Sequence, residues 1–482
     1  MYSKSLIFGL IFLLFTGYFY REQSLSFKFV DEEDNFVFGK YLSKGEKLYD
    51  DLISNHQPLP HIFSGLVHNL TNPNTTYSLL VKHREAVIVW GIIWSLILIY
   101  YFKFRALIFI IIYELTKIQL LGNLFLAESF VVYPLLYLSG ATFFSHKFSN
   151  FLWGLSFGLC VFLLAPIWPA LLLVLALHLK QVKGRIKFSF LGFLIPLILV
   201  LIYSSISGYL YYFYVNLTFT VPGYQNDPFW LSILKGILSP ILAFGNLPQT
   251  PTLWVIRICT IILLITVLSL RSQRSNLVFI LLFLGLLNIR FVSPGTEGYS
   301  GFHLLPWYGA LIFLVVMSAK LSKISSILLI LVIILSFKFS QTSLFIKTDQ
   351  ILSYNINYST YTTIGEGIRI MKGEGDTLFV SSNAWLVYWQ SDTNHLPKLY
   401  ADYIWISGFP PLRNKILEAL ENNPPDFLFC ENCQGLPLEN YLSEYKEAKI
   451  SFKPTKLYVL PHKIDSLSQE QKEKLNYHNF SF

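Results

Sequence analysis

Residues 86–119 read AVIVWGIIWSLILIYYFKFRALIFIIIYELTKIQ. An apolar run over 86–102 is broken by Lys103 and Arg105 and resumes over 106–119. A helix needs roughly 20 apolar residues to cross a bilayer core, and fewer where interfacial side chains snorkel. The stretch therefore predicts two crossings joined by a short basic turn. Composition extends this to the whole chain: 482 residues, 53% hydrophobic and only 14% charged, against about 25% charged in soluble domains. Aromatic residues, 17% of the chain, crowd the ends of the apolar runs, where amphipathic rings suit headgroup level.

The same length criterion gives about eleven candidate spans. Beside 86–102 and 106–119 they are 6–20, 128–144, 151–164, 167–179, 188–207, 253–270, 277–289, 304–319 and 324–337. No small-x-small cleavage site follows the first, so a retained signal anchor is expected. On one side the short loops carry Lys103 and Arg105, His146 and Lys147, Lys180, Lys183, Arg185 and Lys187, Arg271 and Arg274, and Lys320 and Lys323. By the positive-inside rule that side is cytoplasmic. Residues 21–85, 208–252 and 340–482 then lie outside. The expected fold is a polytopic α-helical membrane protein of the plasma membrane, N-terminus cytoplasmic, with residues 1–339 forming the transmembrane domain and 340–482 an extracytoplasmic α/β domain.

In the tail, 365–371 reads as a helix, 376–381 (DTLFVS) as a strand, 414–421 as a helix and 426–430 (DFLFC) as a strand. Acceptor recognition and a purely structural role both fit it. Cys430 and Cys433 are spaced for a tight disulfide or half a zinc site, and with no second Cys/His pair nearby the disulfide or free thiols are expected. Cys160 and Cys259 fall in apolar segments as small buried hydrophobes. The net charge of +8 comes from short basic clusters between apolar runs rather than one stripe, so no nucleic-acid partner is expected.

The first outer loop reads FVDEEDNFVFGKYLSKGEKLYDDLISNHQPLPHIFSGL from residue 29. Asp31, Glu32, Glu33 and Asp34 are adjacent, and such carboxylates raise one another's pKa unless a cation or base shares them. One reading is a solvated acidic turn. The other is a catalytic base, held near headgroup depth by an amphipathic interfacial helix carrying Phe36, Phe38, Tyr41, Leu42 and Leu48. At that depth a sugar on a membrane lipid phosphate presents its anomeric carbon, and transfer needs a base for the acceptor hydroxyl. The leaving phosphate needs positive charge, for which Arg257, Arg290 and His303 are the outer-face candidates. Snorkelling of the arginines and an ordinary interfacial histidine are the competing readings. Glu128, at a helix start, either complements the macrodipole or is a second acidic site residue. Glu114 and Lys117, one turn apart, read as a structural pair.

The loop resembles the first extracytoplasmic loop of the GT-C glycosyltransferases, particularly the protein O-mannosyltransferase and aminoarabinose lipid A transferase family (family 39-like). The matching residues are Asp31-Glu32, the segment to Gly45, Tyr49-Asp50-Asp51 and His56-Gln57-Pro58-Leu59-Pro60. Gly301-Phe302-His303-Leu304-Leu305-Pro306 is similar to the family's late helix, whereas 158–169 departs from it. The resemblance implies Asp31 as general base, Glu32 supporting it, Glu128 as the second acidic position, and Tyr49 and His56 in the substrate loop. It further implies inverting transfer from a polyprenyl-phosphate sugar to a lipid, glycan or protein acceptor beside membrane lipid. It fixes no cofactor, and a divalent cation bridging Asp31, Glu32 and the donor phosphate is compatible. A transporter or flippase would show internal repeats and midplane ionisable residues, and no repeat is seen. A non-catalytic scaffold would tolerate neutral replacement of the acidic run.

Overall fold

The computed structural model describes residues 2–144, 148–181, 186–215, 228–245, 250–269, 274–295, 301–318, 330–331, 334–335, 338, 344–381, 384–400, 410–430, 436, 438–450 and 453–482. The chain is mostly helical and divides into two compact units. The first comprises Met1–Ser24, Arg84–Val200 and Tyr224–Thr348.

Among the described residues, four helices are long and apolar enough to cross a membrane: Lys4–Glu22, Thr76–Leu120, Ile186–Tyr203 and Gly301–Ser318. Shorter apolar helices cover Asn150–Leu163, Ala165–Gln181, Phe229–Leu242, Pro251–Leu264 and Leu277–Leu287. The expected segment 324–337 falls largely outside the described residues. The KFR turn is tighter than its sequence suggests. Thr76–Thr116 is two helices that meet at a kink, where Lys103 takes the non-helical values φ 57°, ψ −137°.

Small residues set how closely these helices pack, since apolar side chains gain little by leaving lipid for protein and backbone approach supplies the contact. A Cβ on Gly154 would lie 1.7 Å from the Ser189 carbonyl oxygen, and one on Gly192 would lie 1.9 Å from that of Phe151. The Asn150–Leu163 and Ile186–Tyr203 helices therefore cross backbone to backbone. The predicted Glu114–Lys117 pair is present and buried, with Lys117 Nζ 2.7 Å from Glu114 Oε2. Lys117 also donates to the Tyr133 hydroxyl at 3.0 Å, and that hydroxyl donates to Glu114.

The second unit comprises Leu25–His83, Leu201–Gly223 and Asp349–Phe482. Its sheet contains β2 (Thr377–Ser381), β3 (Asn394–His395), β5 (Phe427–Cys430), β6 (Lys446–Ile450), β7 (Lys453–Val459) and β8 (Phe480–Ser481). Their order is β3-β2-β5-β7-β6-β8. β2 runs parallel to β3 and β5, whereas β7, β6 and β8 continue antiparallel. Both strands and both helices expected in the tail are present, the helices extended to Gln350–Met371 and Pro410–Asn422. Cys430 is disulfide-bonded; Cys433 lies outside the described residues.

The sequence boundary at 340 needs correction. Residues 25–83, read from sequence as a loop of the transmembrane domain, group with the tail. A two-residue strand β1 (Leu52–Ile53) pairs in parallel with β4 (Leu399–Tyr400). The Tyr358 hydroxyl donates to the Phe27 carbonyl at 3.1 Å, and Gln390 Nε2 donates to Thr76 Oγ1 at 2.9 Å.

The helix expected in the membrane interface is corrected as well. Val30–Ser43 is buried in protein from Glu32 through Leu42. Phe36 meets the His83 ring at 4.5 Å, Phe38 sits beside His61 and Trp385, and the Tyr41 hydroxyl donates to the Thr393 carbonyl. Lys40, 7% exposed, donates to Asp392 Oδ1 at 2.8 Å, with Lys44 and Lys372 also near that carboxylate. Burial pushes the Lys40 pKa down to about 8, against the opposing pull of Asp392. The folded protein thus releases this proton near pH 8 and the unfolded chain only near 10.5. Unfolding takes up a proton in that window, so stability rises with pH there. The expected result is that wild type gains thermal stability relative to Lys40→Met between pH 8 and 10. A pH-independent difference between the two melting curves would sink this account.

Candidate functional site

The acidic run opens the Val30–Ser43 helix, where the macrodipole favours carboxylates in the first turn. Glu32, Glu33 and Asp34 are at most 1% exposed, while Asp31 is half-buried. The solvated-turn reading therefore fails for three of the four residues. Asp31 alone among them retains solvent access, and its carbonyl accepts from Asn35 Nδ2 at 2.9 Å.

The neighbouring segment reaches this helix through a tight crossing. Pro58 and Pro60 start the Pro58–Thr71 helix, where a fixed φ and a missing N–H cost nothing in the first turn. A Cβ on Gly39 would fall 2.1 Å from Ser64 Oγ, so glycine lets the two helices meet. Their approach sets His56, just before the second helix, against Asp34. His56 Nδ1 stands 2.8 Å from Asp34 Oδ2, and Asp34 Oδ1 accepts from the Asn35 backbone N–H.

His61, in the first turn of the second helix, is fully buried. Its Nε2 is 2.7 Å from Ser54 Oγ, which also accepts the His56 backbone N–H at 3.0 Å. Burial pushes the His61 pKa down to about 4, although Asp34 opposes this; the ring is neutral at pH 7. One ligand atom each from Asp34, His56 and His61 lie within 4.8 Å of one another, and of the described residues these three could hold a metal. Asp31 and Glu32, the expected bridging pair, are not part of this group.

Tyr49 lies in the same loop as His56. Its backbone is left-handed at φ 65°, and its hydroxyl donates to the His56 carbonyl at 2.8 Å. A Cβ on Gly208 would lie 2.0 Å from the Tyr49 carbonyl oxygen, so this residue braces the His56 segment. Tyr49 also lines a half-open cavity of about 550 Å³ in the second unit, with Asp50, Tyr211, Tyr400, Lys415 and Asn422.

In the first unit, Glu128, His303 and Arg290 share a small cavity of about 20 Å³. Glu128 lies in the first turn of the Ala127–Phe143 helix, and its Oε1 is 2.9 Å from His303 Nδ1. Arg290 is exposed at the rim of this group. Arg257 is placed elsewhere: it is buried, donates through Nε to the Ala243 carbonyl at 2.9 Å and lies 5.0 Å from the Trp254 ring centre. Its guanidinium covers the end of the Phe229–Leu242 helix, and it is buried in protein rather than snorkelling.

Sequence reasoning passed over His61, Ser54 and the separate role of Asp34. The usable signal was spacing: Asp34 lies one helical turn after Asp31, and His61 follows His56 across a proline-started helix. Compared with models of known families, with curated proteins and with solved structures, the chain matches none.

Proposed function

We propose that this protein is a membrane glycosyltransferase that moves a sugar from a polyprenyl-phosphate donor to a lipid, glycan or protein hydroxyl. The observation that carries the reading is the burial of the acidic run, which leaves Asp31 as its one half-exposed carboxylate. Asp31 takes the proton of the acceptor hydroxyl as its oxygen attacks the anomeric carbon. The bond from that carbon to the phosphate oxygen breaks, and polyprenyl phosphate leaves with inversion. In the first unit, taken by itself, His303 and Arg290 are candidates for binding a lipid phosphate, and Glu128 orients His303 through their 2.9 Å contact. The proposal includes about eleven crossings by the length criterion, a cytoplasmic N-terminus, an extracytoplasmic C-terminal domain and residence in the plasma membrane.

The test is sugar release from a panel of polyprenyl-phosphate sugars by protein reconstituted in liposomes. Turnover is expected with donor in the leaflet facing the C-terminal domain and absent with donor only in the other leaflet. Failure of every donor with lipid, glycan and peptide acceptors would move a transporter or scaffold ahead.

A further inference from the structure

The group formed by Asp34, His56 and His61 does not need the glycosyl-transfer reading to make sense. We infer that it binds one divalent transition-metal ion of the zinc class, through one oxygen and two imidazole nitrogens. One candidate ligand atom from each residue lies within 4.8 Å of the others, and side-chain rotation closes them to a shell with bonds of about 2.1 Å. Two nitrogen donors select against magnesium and calcium, which prefer all-oxygen shells, and suit zinc and its neighbours.

A second observation concerns the buried His61 ring. Its Nδ1 is inaccessible to solvent and has no hydrogen-bond partner, while Nε2 faces Ser54 Oγ at 2.7 Å. If Ser54 donated to Nε2, the Nδ1 proton would be buried and unsatisfied, which costs roughly 1–3 kcal/mol. With Nε2–H donating to Ser54, Nδ1 carries a lone pair that a metal satisfies. An oxygen accepting the far N–H is the usual outer partner of a metal-bound histidine. Asp34 is buried with its Oδ1 held by a backbone N–H, and its Oδ2 faces His56 Nδ1 at 2.8 Å, a proton-sharing contact that a metal ion bound by both would replace. His56 is 34% exposed at its side chain and supplies the way in. Three protein ligands leave a coordination position for water or substrate, the arrangement of open rather than structural zinc sites.

Full-length protein without a histidine tag, stripped by chelator and dialysed, is titrated with Zn²⁺ by calorimetry, and metal content is counted by mass spectrometry. One zinc per chain is expected, with a rise in melting temperature. His56→Gln, at the part-exposed ligand, is expected to lower affinity at least about tenfold, and Ser54→Ala about 10- to 100-fold. His61→Gln risks misfolding in the core, so the decision rests on His56→Gln and on Co²⁺ spectra. Co²⁺ in wild type should show the strong visible bands of a nitrogen-ligated low-coordinate site. No zinc uptake by wild type, or equal uptake by His56→Gln, overturns the proposal. Because neither readout uses sugar transfer, failure here leaves the glycosyltransferase reading untouched, and the reverse also holds.

Discussion

Asp31→Asn is expected to lower sugar transfer at least about a hundredfold, the low end for loss of a general base. The substitution keeps the shape of the side chain and the backbone carbonyl that accepts from Asn35 Nδ2, so the fold should stand. Glu32→Gln is expected to act differently. Glu32 is 1% exposed, so removing its charge changes the surroundings of Asp31 and shifts the pH profile rather than abolishing turnover. Rates at equal folded concentration, followed across pH, separate the two. Retention of full activity by Asp31→Asn would remove this residue from the chemistry, whatever its neighbours do.

The helical character of the first unit was legible because a long apolar run, if it is to sit in lipid, must satisfy its own backbone groups, which leaves helices as the solution for such runs. The pattern was silent on what surrounds an apolar stripe. Phe36, Phe38 and Tyr41 recur at the same spacing whether lipid or protein covers them. Protein covers them here, through His83, Trp385 and Thr393.

The domain boundary was misread for a related reason. The β1–β4 register pairs Leu52 with Leu399, and strands of two residues carry no alternation that could announce a partner so distant in sequence. Two sequence candidates of the same kind, Arg257 and Arg290, also came apart. Both lie near helix ends, but Arg257 meets the Ala243 carbonyl whereas Arg290 borders the cavity of Glu128 and His303. Spacing placed His56 beside a proline-started helix. The meeting of His56 and His61 with Asp34 depends on the Gly39–Ser64 crossing, a contact between helices that no single-segment pattern contains.

Lys117→Met is expected to destabilise the first unit strongly. It leaves Glu114, 3% exposed, without the ammonium 2.7 Å from its carboxylate. Breaking a buried pair from one side costs about 3–5 kcal/mol, because the remaining charge stays desolvated. Glu114→Leu alone strands the ammonium in the same way, although Lys117 keeps the faces of Tyr20 and Tyr113 at 4.8 and 5.7 Å from the ring centres. The double variant removes both charges and should recover most of the loss. What remains is the Tyr133 hydroxyl, which loses two partners and costs roughly 1–3 kcal/mol if nothing replaces them. Unfolding of the detergent-solubilised protein, measured for wild type, both single variants and the double, gives the coupling directly. A double variant less stable than either single one would mean that each side chain stabilises the fold independently of the other, and the account by an uncompensated buried charge would fail.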